Sequence, residues 1–232
     1  MKTIVTGAVL MLWTSVAAHA HPHVFVNAQA GFQIDAEQSL QALRISWRYD
    51  AFTTLFLFDV LDLDSDSDGQ LNDADLATVA AAETEWPPGY NGDVNLAVAG
   101  NKWELSQPQN ATASMVDGEI IVSFDLPLVN PADMSGKSAS LRLYDPAYYY
   151  AYSVSVDPDS QNTDRPCEVT AIPFEPDEAE AETLWTLSTL SREETPDEPD
   201  IGARFADEIL LTTLLEQCSS CSRGFFHIHR LM

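Results

Sequence analysis

The chain has 232 residues, of which 36 are Asp or Glu and 11 are Lys or Arg, so its formal net charge is −25. This excess of acids disfavours nucleic acid and anionic membranes as partners, because both are themselves negatively charged. Since 45% of the residues are hydrophobic, the chain can bury a true core. Its length indicates one sizeable domain with appendages.

The first twenty residues have the pattern of a cleavable secretion signal. Lys2 supplies the positive start, residues 3–18 are uncharged and mostly apolar, and Ala18-His19-Ala20 offers a small-x-small cleavage site. The apolar run is short for a membrane-spanning helix, and no second run follows it. We therefore expect a periplasmic protein whose signal, residues 1–20, is removed, and which does not insert directly into the membrane.

Alternation of apolar and polar residues predicts strands through most of the mature chain. The first is the clearest, because the even positions from Val24 to Ile34 are apolar or small and the odd ones are mostly polar. The predicted strands cover residues 24–34, 43–49, 94–98, 102–105, 119–126, 138–144, 148–156 and 167–174.

A different pattern separates the second predicted strand from the third. Residues 51–63 lack Gly and Pro and place Phe52, Leu55, Phe56 and Val60 at helical spacing. An Ala-rich run at 74–85 predicts a second helix. We therefore predict an α+β fold, in which a mostly antiparallel, sandwich-like β-rich domain carries a helix–loop–helix insert.

The segment between the two predicted helices has the spacing of an EF-hand calcium loop. Side-chain oxygens recur at every second position, Gly69 is sixth, Leu71 is eighth, and a carboxylate is twelfth. Position twelve is an Asp, whose arm is shorter than the usual Glu, and this favours weaker calcium binding or magnesium. An ion-free turn with a helix N-cap is the alternative. The predicted ligands are Asp64, Asp66, Asp68, Gln70 through its carbonyl, Asn72 and Asp75.

The C-terminal third is less regular. The β-rich domain is expected to span residues 21–174, with its insert at about 51–85, and an acidic, Pro-containing linker that alternates with a frayed helix is expected at 175–200. A C-terminal segment, 201–232, follows the linker. Within it, residues 205–215 fit either a strand or a helix.

The chain has three cysteines, and an exported protein keeps disulfides. A long-range Cys167–Cys218 bridge is favoured over a local ring between Cys218 and Cys221, because it would pin the C-terminal segment to the domain. With His227 and His229 nearby, the Cys218-x-x-Cys221 pair also fits zinc binding or redox exchange.

Several motifs together resemble one family. They are His21-Pro22-His23-Val24-Phe25-Val26, Trp47-x-Tyr49-Asp50-x-Phe52, the Asp-rich loop, and Leu143-Tyr144-Asp145-Pro146-Ala147-Tyr148-Tyr149. This set is similar to the domain-of-unknown-function family DUF1007, catalogued as the periplasmic component of an uncharacterised ABC-type transport system. The resemblance implies an exported, non-catalytic accessory protein, often encoded beside permeases for nickel, cobalt or zinc. Two features depart from the family: Ala51 stands where an acid is expected, and the tail from Thr212 is longer.

Signal cleavage would leave His21 with a free amine, and His23 two residues further on. Imidazoles and an amine suit zinc, nickel or copper. Because Pro22 lacks an N–H, a site of this kind must recruit other side chains, and the family-like motifs offer Asp50 and Asp145. The alternative is that the histidines merely end a strand. The tyrosines around Asp145 likewise fit either a ligand cleft or sheet packing, and packing is favoured.

No sequence pattern typical of an enzyme is present: there is no Gly-rich phosphate loop, no H-E-x-x-H and no G-x-S-x-G. We therefore expect a non-enzymatic, periplasmic metal-binding accessory protein, with a membrane metal permease or ABC transporter as partner. Calcium would brace the fold, and a transition metal such as zinc or nickel would be the cargo. A calcium-stabilised interaction module without a transition-metal role is the alternative.

Overall fold

The computed structural model describes residues 22–65, 67–161, 167–191 and 194–213. These residues form a mixed fold of two five-stranded, mainly antiparallel sheets and three helices. The signal-like segment, Asp66 and residues 214–232 lie outside the described residues. The strands are β1 Val24–Ile34, β2 Ser39–Tyr49, β3 Val94–Val98, β4 Asn101–Trp103, β5 Gln109–Val116, β6 Glu119–Asp133, β7 Ser138–Leu143, β8 Tyr150–Val156, β9 Cys167–Ile172 and β10 Glu208–Thr213.

The first sheet has the strand order β5-β6-β2-β1-β8, and the second has the order β4-β3-β7-β10-β9. All pairs are antiparallel except β1 and β8, which run parallel with Val24 opposite Tyr150. One hydrophobic cluster contains side chains from both sheets. The two inner faces therefore share one core.

The alternating pattern predicted the inward faces of the central strands correctly. In β1, Val26, Ala28, Ala30 and Phe32 are all buried. Strand β2 begins earlier than its predicted start at residue 43, because Leu40 also points into the core and is fully buried. A register irregularity between Leu40 and Ala42 lets this extension pair with β6.

Helix α1, Ala51–Val60, ends three residues before its predicted end. Its buried side consists of Thr53, Thr54 and Leu57. Thr54 turns inward because its hydroxyl accepts a hydrogen bond of 3.0 Å from the backbone N–H of Ile120, at the start of β6. The apolar stripe that identified this helix therefore faces solvent.

Four large apolar side chains of α1 are exposed, and they lie along one stripe of the helix. Phe52 is 78% exposed and Leu55 is 67% exposed. Phe56 and Val60 continue the stripe at 50% and 58%. Helical periodicity therefore identified the element correctly but does not reveal which of its faces is buried.

The next helix, α2, spans Asp73–Thr84, and each end lies within one residue of its predicted position. It buries Val79 and Ala80. It packs against β5 and β6. The Pro-rich turn after it brings Trp86 back onto the first sheet, where the ring stacks on Trp47 at a centroid distance of 6.2 Å. This turn positions the cavity described below.

The C-terminal third is more ordered than its composition indicates. The predicted acidic linker contains helix α3, Glu178–Ser188, which begins with a capping box between Asp177 and Glu180. A 3-10 turn, Ile201–Phe205, precedes β10. Of the residues 205–215, whose structure the sequence left open, Glu208–Thr213 form the strand β10, which lies between β7 and β9. Within the described ranges no helix is both long enough and apolar enough to span a bilayer.

Candidate functional site

The first half of the Asp-rich loop folds around the carboxylate of Asp64. Its two oxygens accept hydrogen bonds from the backbone N–H groups of Asp68, at 3.0 Å, and Gly69, at 2.9 Å. Asp68 in turn accepts from the N–H of Gln70 at 2.8 Å. Gly69 has a φ of +80°, which a residue without a Cβ adopts most readily. These bonds hold the loop in a tight turn.

The second half of the loop begins helix α2. Asn72 is the N-cap and accepts from the N–H groups of Ala74 and Asp75, while Asp75 accepts from the N–H of Asn72 at 3.1 Å. Leu71 packs against the core, as expected for the eighth position. Among the residues the structure describes, which omit Asp66, no three His, Cys, Asp or Glu side chains form a group suited to hold a metal ion.

The candidate transition-metal ligands lie at one end of the first sheet. His23 precedes β1, and its N–H donates to the carbonyl of Tyr149 at 2.8 Å. Asp50 follows β2, whose last residue, Tyr49, pairs with Val26 of β1. Both Asp50 and the turn before β8 are therefore at the end where β1 starts. The fourth candidate ligand, His21, lies outside the described residues.

Asp50 and Asp145 both have structural roles in this arrangement. Asp50 caps α1 by accepting from the N–H of Thr53 at 2.7 Å. Asp145 accepts from the N–H groups of Ala147, Tyr149 and Tyr150, at 3.2, 2.5 and 3.3 Å. The carboxylate of Asp145 thus builds the turn that leads into β8, so metal binding would compete with these bonds.

Cys167 begins β9 and pairs across the sheet with Thr213 of β10. Cys218, its predicted disulfide partner, lies five positions beyond Thr213 and outside the described residues, as do Cys221, His227 and His229.

Sequence reasoning missed a cluster of buried acids and tyrosines. The Tyr49 hydroxyl donates to Glu83 at 2.5 Å, and the Tyr152 hydroxyl donates to Asp93 at 2.9 Å. The members come from β2, α2, the loop after α2, and β8. Only the alternating aromatics of β2 and β8 carried a signal in the sequence, because Glu83 and Asp93 belong to no periodic pattern.

Burial controls the ionisation of this cluster. It raises the pKa of Asp93 to about 6, although the tyrosine hydrogen bonds act in the opposite direction. Burial also raises the pKa of Glu83, and the bond from Tyr49 offsets part of that rise. The phenol pKa values of Tyr49 and Tyr152 are raised by burial and by these neighbouring carboxylates. The ionised forms of these carboxyl and phenol groups are therefore destabilised in the folded protein.

A cavity of about 260 Å³ opens onto the cluster. Glu83 lies in its wall among aromatic rings, and the Tyr150 and Tyr152 rings stack at 6.3 Å. Of the tyrosines that follow Asp145, these two also pack against the core, whereas Tyr148 packs on Phe205. The aromatic lining residues are Trp47, Tyr49, Trp86, Tyr90, Tyr150 and Tyr152.

Comparison with known proteins agrees with the resemblance seen in the motifs. A curated Haemophilus influenzae (strain Rd) protein, described as uncharacterized, is 25% identical over 215 residues, which cover 91% of this chain and 98% of the relative. The family model described as "Protein of unknown function (DUF1007)" matches residues 6–213. Because this match extends over most of the chain, the protein belongs to the DUF1007 family.

Proposed function

We propose that this chain is an exported periplasmic accessory protein that binds metal ions and works beside a transition-metal transport system. In this proposal an EF-hand-like loop, residues 64–75, holds calcium as a brace, and a second site captures zinc, nickel or cobalt. The protein performs no catalysis itself. Its partner is a membrane metal permease or ABC transporter.

The observation that carries the calcium part is the hydrogen bonding of Asp64. Its carboxylate accepts hydrogen bonds from the N–H groups of the fifth and sixth loop residues, and α1 and α2 flank that loop. The ninth residue, Asn72, caps α2, and the twelfth, Asp75, is in its first turn. An EF-hand needs its ligand positions placed in this way at the start of the exiting helix. The shorter arm of Asp75 favours six ligands, so magnesium is the competing ion.

The first prediction concerns stability in calcium. If the dissociation constant is about 0.1 mM, about 1 mM calcium should add about 1.4 kcal/mol to the free energy of unfolding. Asp68→Asn should abolish most of this gain, because the amide keeps the oxygen that bonds the Gln70 N–H but loses the charge. Thermal and urea unfolding of the mature chain, with calcium, magnesium or chelator, provides the measurement.

The matched control is Asp117→Asn, a change of the same kind at an exposed turn outside the loop. It should leave the calcium gain intact. A melting temperature that does not respond to calcium or chelator would rule out the brace.

The transition-metal part is supported by the common position of His23, Asp50 and Asp145 at one end of the first sheet. After signal cleavage, His21 and its amine would join that end. Imidazole and amine donors suit zinc and nickel better than calcium. Because Asp50 and Asp145 are engaged by backbone N–H groups, the histidines would be the main ligands.

The second prediction is that the mature chain, beginning at His21, binds zinc or nickel with about micromolar or tighter affinity. His23→Phe should weaken this affinity by about tenfold or more, because it keeps a ring against Tyr149 but removes both donor nitrogens. Isothermal titration with each metal measures the effect. Replacing His227 and His229 with alanine is the control, and if only that variant loses binding, the site belongs to the C-terminal tail.

The exposed stripe of α1 favours the alternative function, a calcium-stabilised interaction module without a transition-metal role. Phe52 and Leu55 present apolar surface that no described residue covers. Under this alternative a periplasmic partner covers the stripe, and the metal titrations show no zinc or nickel binding.

A further inference from the structure

The aromatic cavity beside Glu83 shares no lining residue with either set of proposed metal ligands. It lies between the first sheet and the turn after α2, and its volume is about 260 Å³. Trp86 forms edge contacts with Tyr90 at 5.6 Å and stacks on Trp47 at 6.2 Å. The opening therefore has aromatic faces and edges on several sides.

The carboxylate in this wall has no positive counter-charge among the described residues. Within the described residues the Glu83 carboxylate accepts a hydrogen bond from Tyr49, and the Asp93 carboxylate accepts one from Tyr152. The side-chain ion pairs of the described residues lie elsewhere and use Arg44, Arg48, Lys137 and Arg204. A half-buried carboxylate in such a wall gains most from a cation that enters the cavity.

The chemistry of the wall selects the class of cation. Aromatic faces attract ammonium groups, and the attraction is strongest where water is excluded. A metal ion instead needs several charged ligands at short distance, and no group of three His, Cys, Asp or Glu in the described ranges meets that need. The cavity also has room for several heavy atoms rather than one.

We propose that this cavity binds a small organic ammonium ion, with Glu83 as its counter-ion and Trp47, Trp86 and Tyr90 around its methyl or methylene groups. The competing explanation is that the Tyr49–Glu83 hydrogen bond only joins α2 to the first sheet, and that the cavity has no ligand.

The test is a titration of the mature protein with choline and with 3,3-dimethylbutan-1-ol, which has the same shape and hydroxyl group but no charge. Isothermal titration and the fluorescence of Trp47 and Trp86 follow binding. Choline should bind saturably and at least about tenfold more tightly than the neutral alcohol, since ion pairing and cation–π attraction act on the charge alone. Equal affinities, or no saturation by choline, would overturn the proposal.

Three variants locate the ligand. Glu83→Gln should weaken choline binding by about tenfold, while Glu85→Gln, at an exposed position on the same rim, should weaken it less than about threefold. Tyr90→Leu should also weaken binding, and its 43% exposure makes it a mild change for folding. If choline binds these three variants as tightly as the unaltered protein, the cavity is not its site.

The same titration separates this inference from the proposed metal function. His23→Phe should leave choline affinity unchanged. Conversely, zinc binding should be unaffected by Glu83→Gln. If zinc displaces choline and Glu83→Gln abolishes zinc binding, the cavity is a metal site and the ammonium proposal is wrong.

Discussion

Replacing Asp93 with asparagine should raise the free energy of unfolding by about 2 kcal/mol at pH 7.5 and remove most of its dependence on pH between 4 and 6. Asp93 is 6% exposed, and burial raises its pKa from 3.8 to about 6. Above pH 6 the carboxylate is ionised in the folded protein, and burial of this charge lowers the free energy of unfolding. An asparagine has no charge and therefore avoids this loss.

The direction of the pH effect follows from proton binding. Between about pH 4 and 6 the folded protein holds a proton on Asp93 that the unfolded chain has released, so the free energy of unfolding falls as pH rises through this window. Above about pH 6 both states are ionised and the penalty is constant. Below about pH 4 both states are protonated and the penalty is absent.

Asparagine is a close substitute at this position. Asp93 has a φ of +59°, and Asn tolerates this left-handed region as well as Asp does. The side-chain oxygen of the asparagine can still accept from Tyr152. The substitution therefore changes charge with little change in shape.

Urea unfolding at a series of pH values from 4 to 8 measures the effect. Asp133→Asn is the control, because its neighbours Ser135 and Lys137 lower the pKa of that exposed carboxyl to about 2, so Asp133 titrates below this window. The slope between pH 4 and 6 should survive in the control. A slope that also survives in Asp93→Asn would show that another group produces it.

Replacing Phe124 with alanine should lower the free energy of unfolding by about 3 to 5 kcal/mol, the largest loss we expect from one side chain. Phe124 is 2% exposed, in the middle of β6. Its ring meets Trp47 edge-on at 4.9 Å and Trp86 at 5.6 Å. Alanine leaves a cavity between these rings, and the surrounding sheet cannot relax enough to fill it.

The same change should also weaken choline binding, because Trp47 and Trp86 form the cavity wall and lose the ring behind them. Urea unfolding and the choline titration measure the two effects on one variant. Unaltered choline binding in a folded Phe124→Ala protein would place the ligand elsewhere.

The matched control is Phe52→Ala on α1, where the side chain is 78% exposed. Phe52→Ala should lower the free energy of unfolding by less than about 0.5 kcal/mol, because most of the Phe52 ring already contacts water in the folded protein. Equal losses for the two variants would contradict the buried and exposed assignments of these rings.

These two phenylalanines also illustrate what local patterns can and cannot predict. Alternation identified β1 and the core side of β6, including Phe124, because the two faces of a strand differ in polarity. Phe52 belongs to an equally regular stripe, yet α1 turns Thr53 and Thr54 inward instead. That choice depends on the N–H of Ile120, 66 positions away, which Thr54 satisfies.

Of the candidate ligands, the Asp-rich loop and the histidines at 21 and 23 were visible in the sequence because their positions are close in the chain, whereas Asp50 and Asp145 were suggested only by the family-like motifs. The Glu83 cavity was not visible. It joins Tyr49, Glu83, Asp93 and Tyr152, which meet only because β8 lies parallel to β1 and the turn after α2 folds back. No spacing rule connects residues so far apart.

The sequence by itself determined the positions of eight of the ten described strands and of α1 and α2, because these depend on side chains within a few residues of one another. It missed β5 and left β10 undecided between strand and helix. Only the tertiary structure decided that β10 lies between β7 and β9, which face of α1 is buried, and where carboxylates meet tyrosines in a cavity. Those features depend on contacts between distant segments, and register and packing set such contacts only when the whole chain has folded.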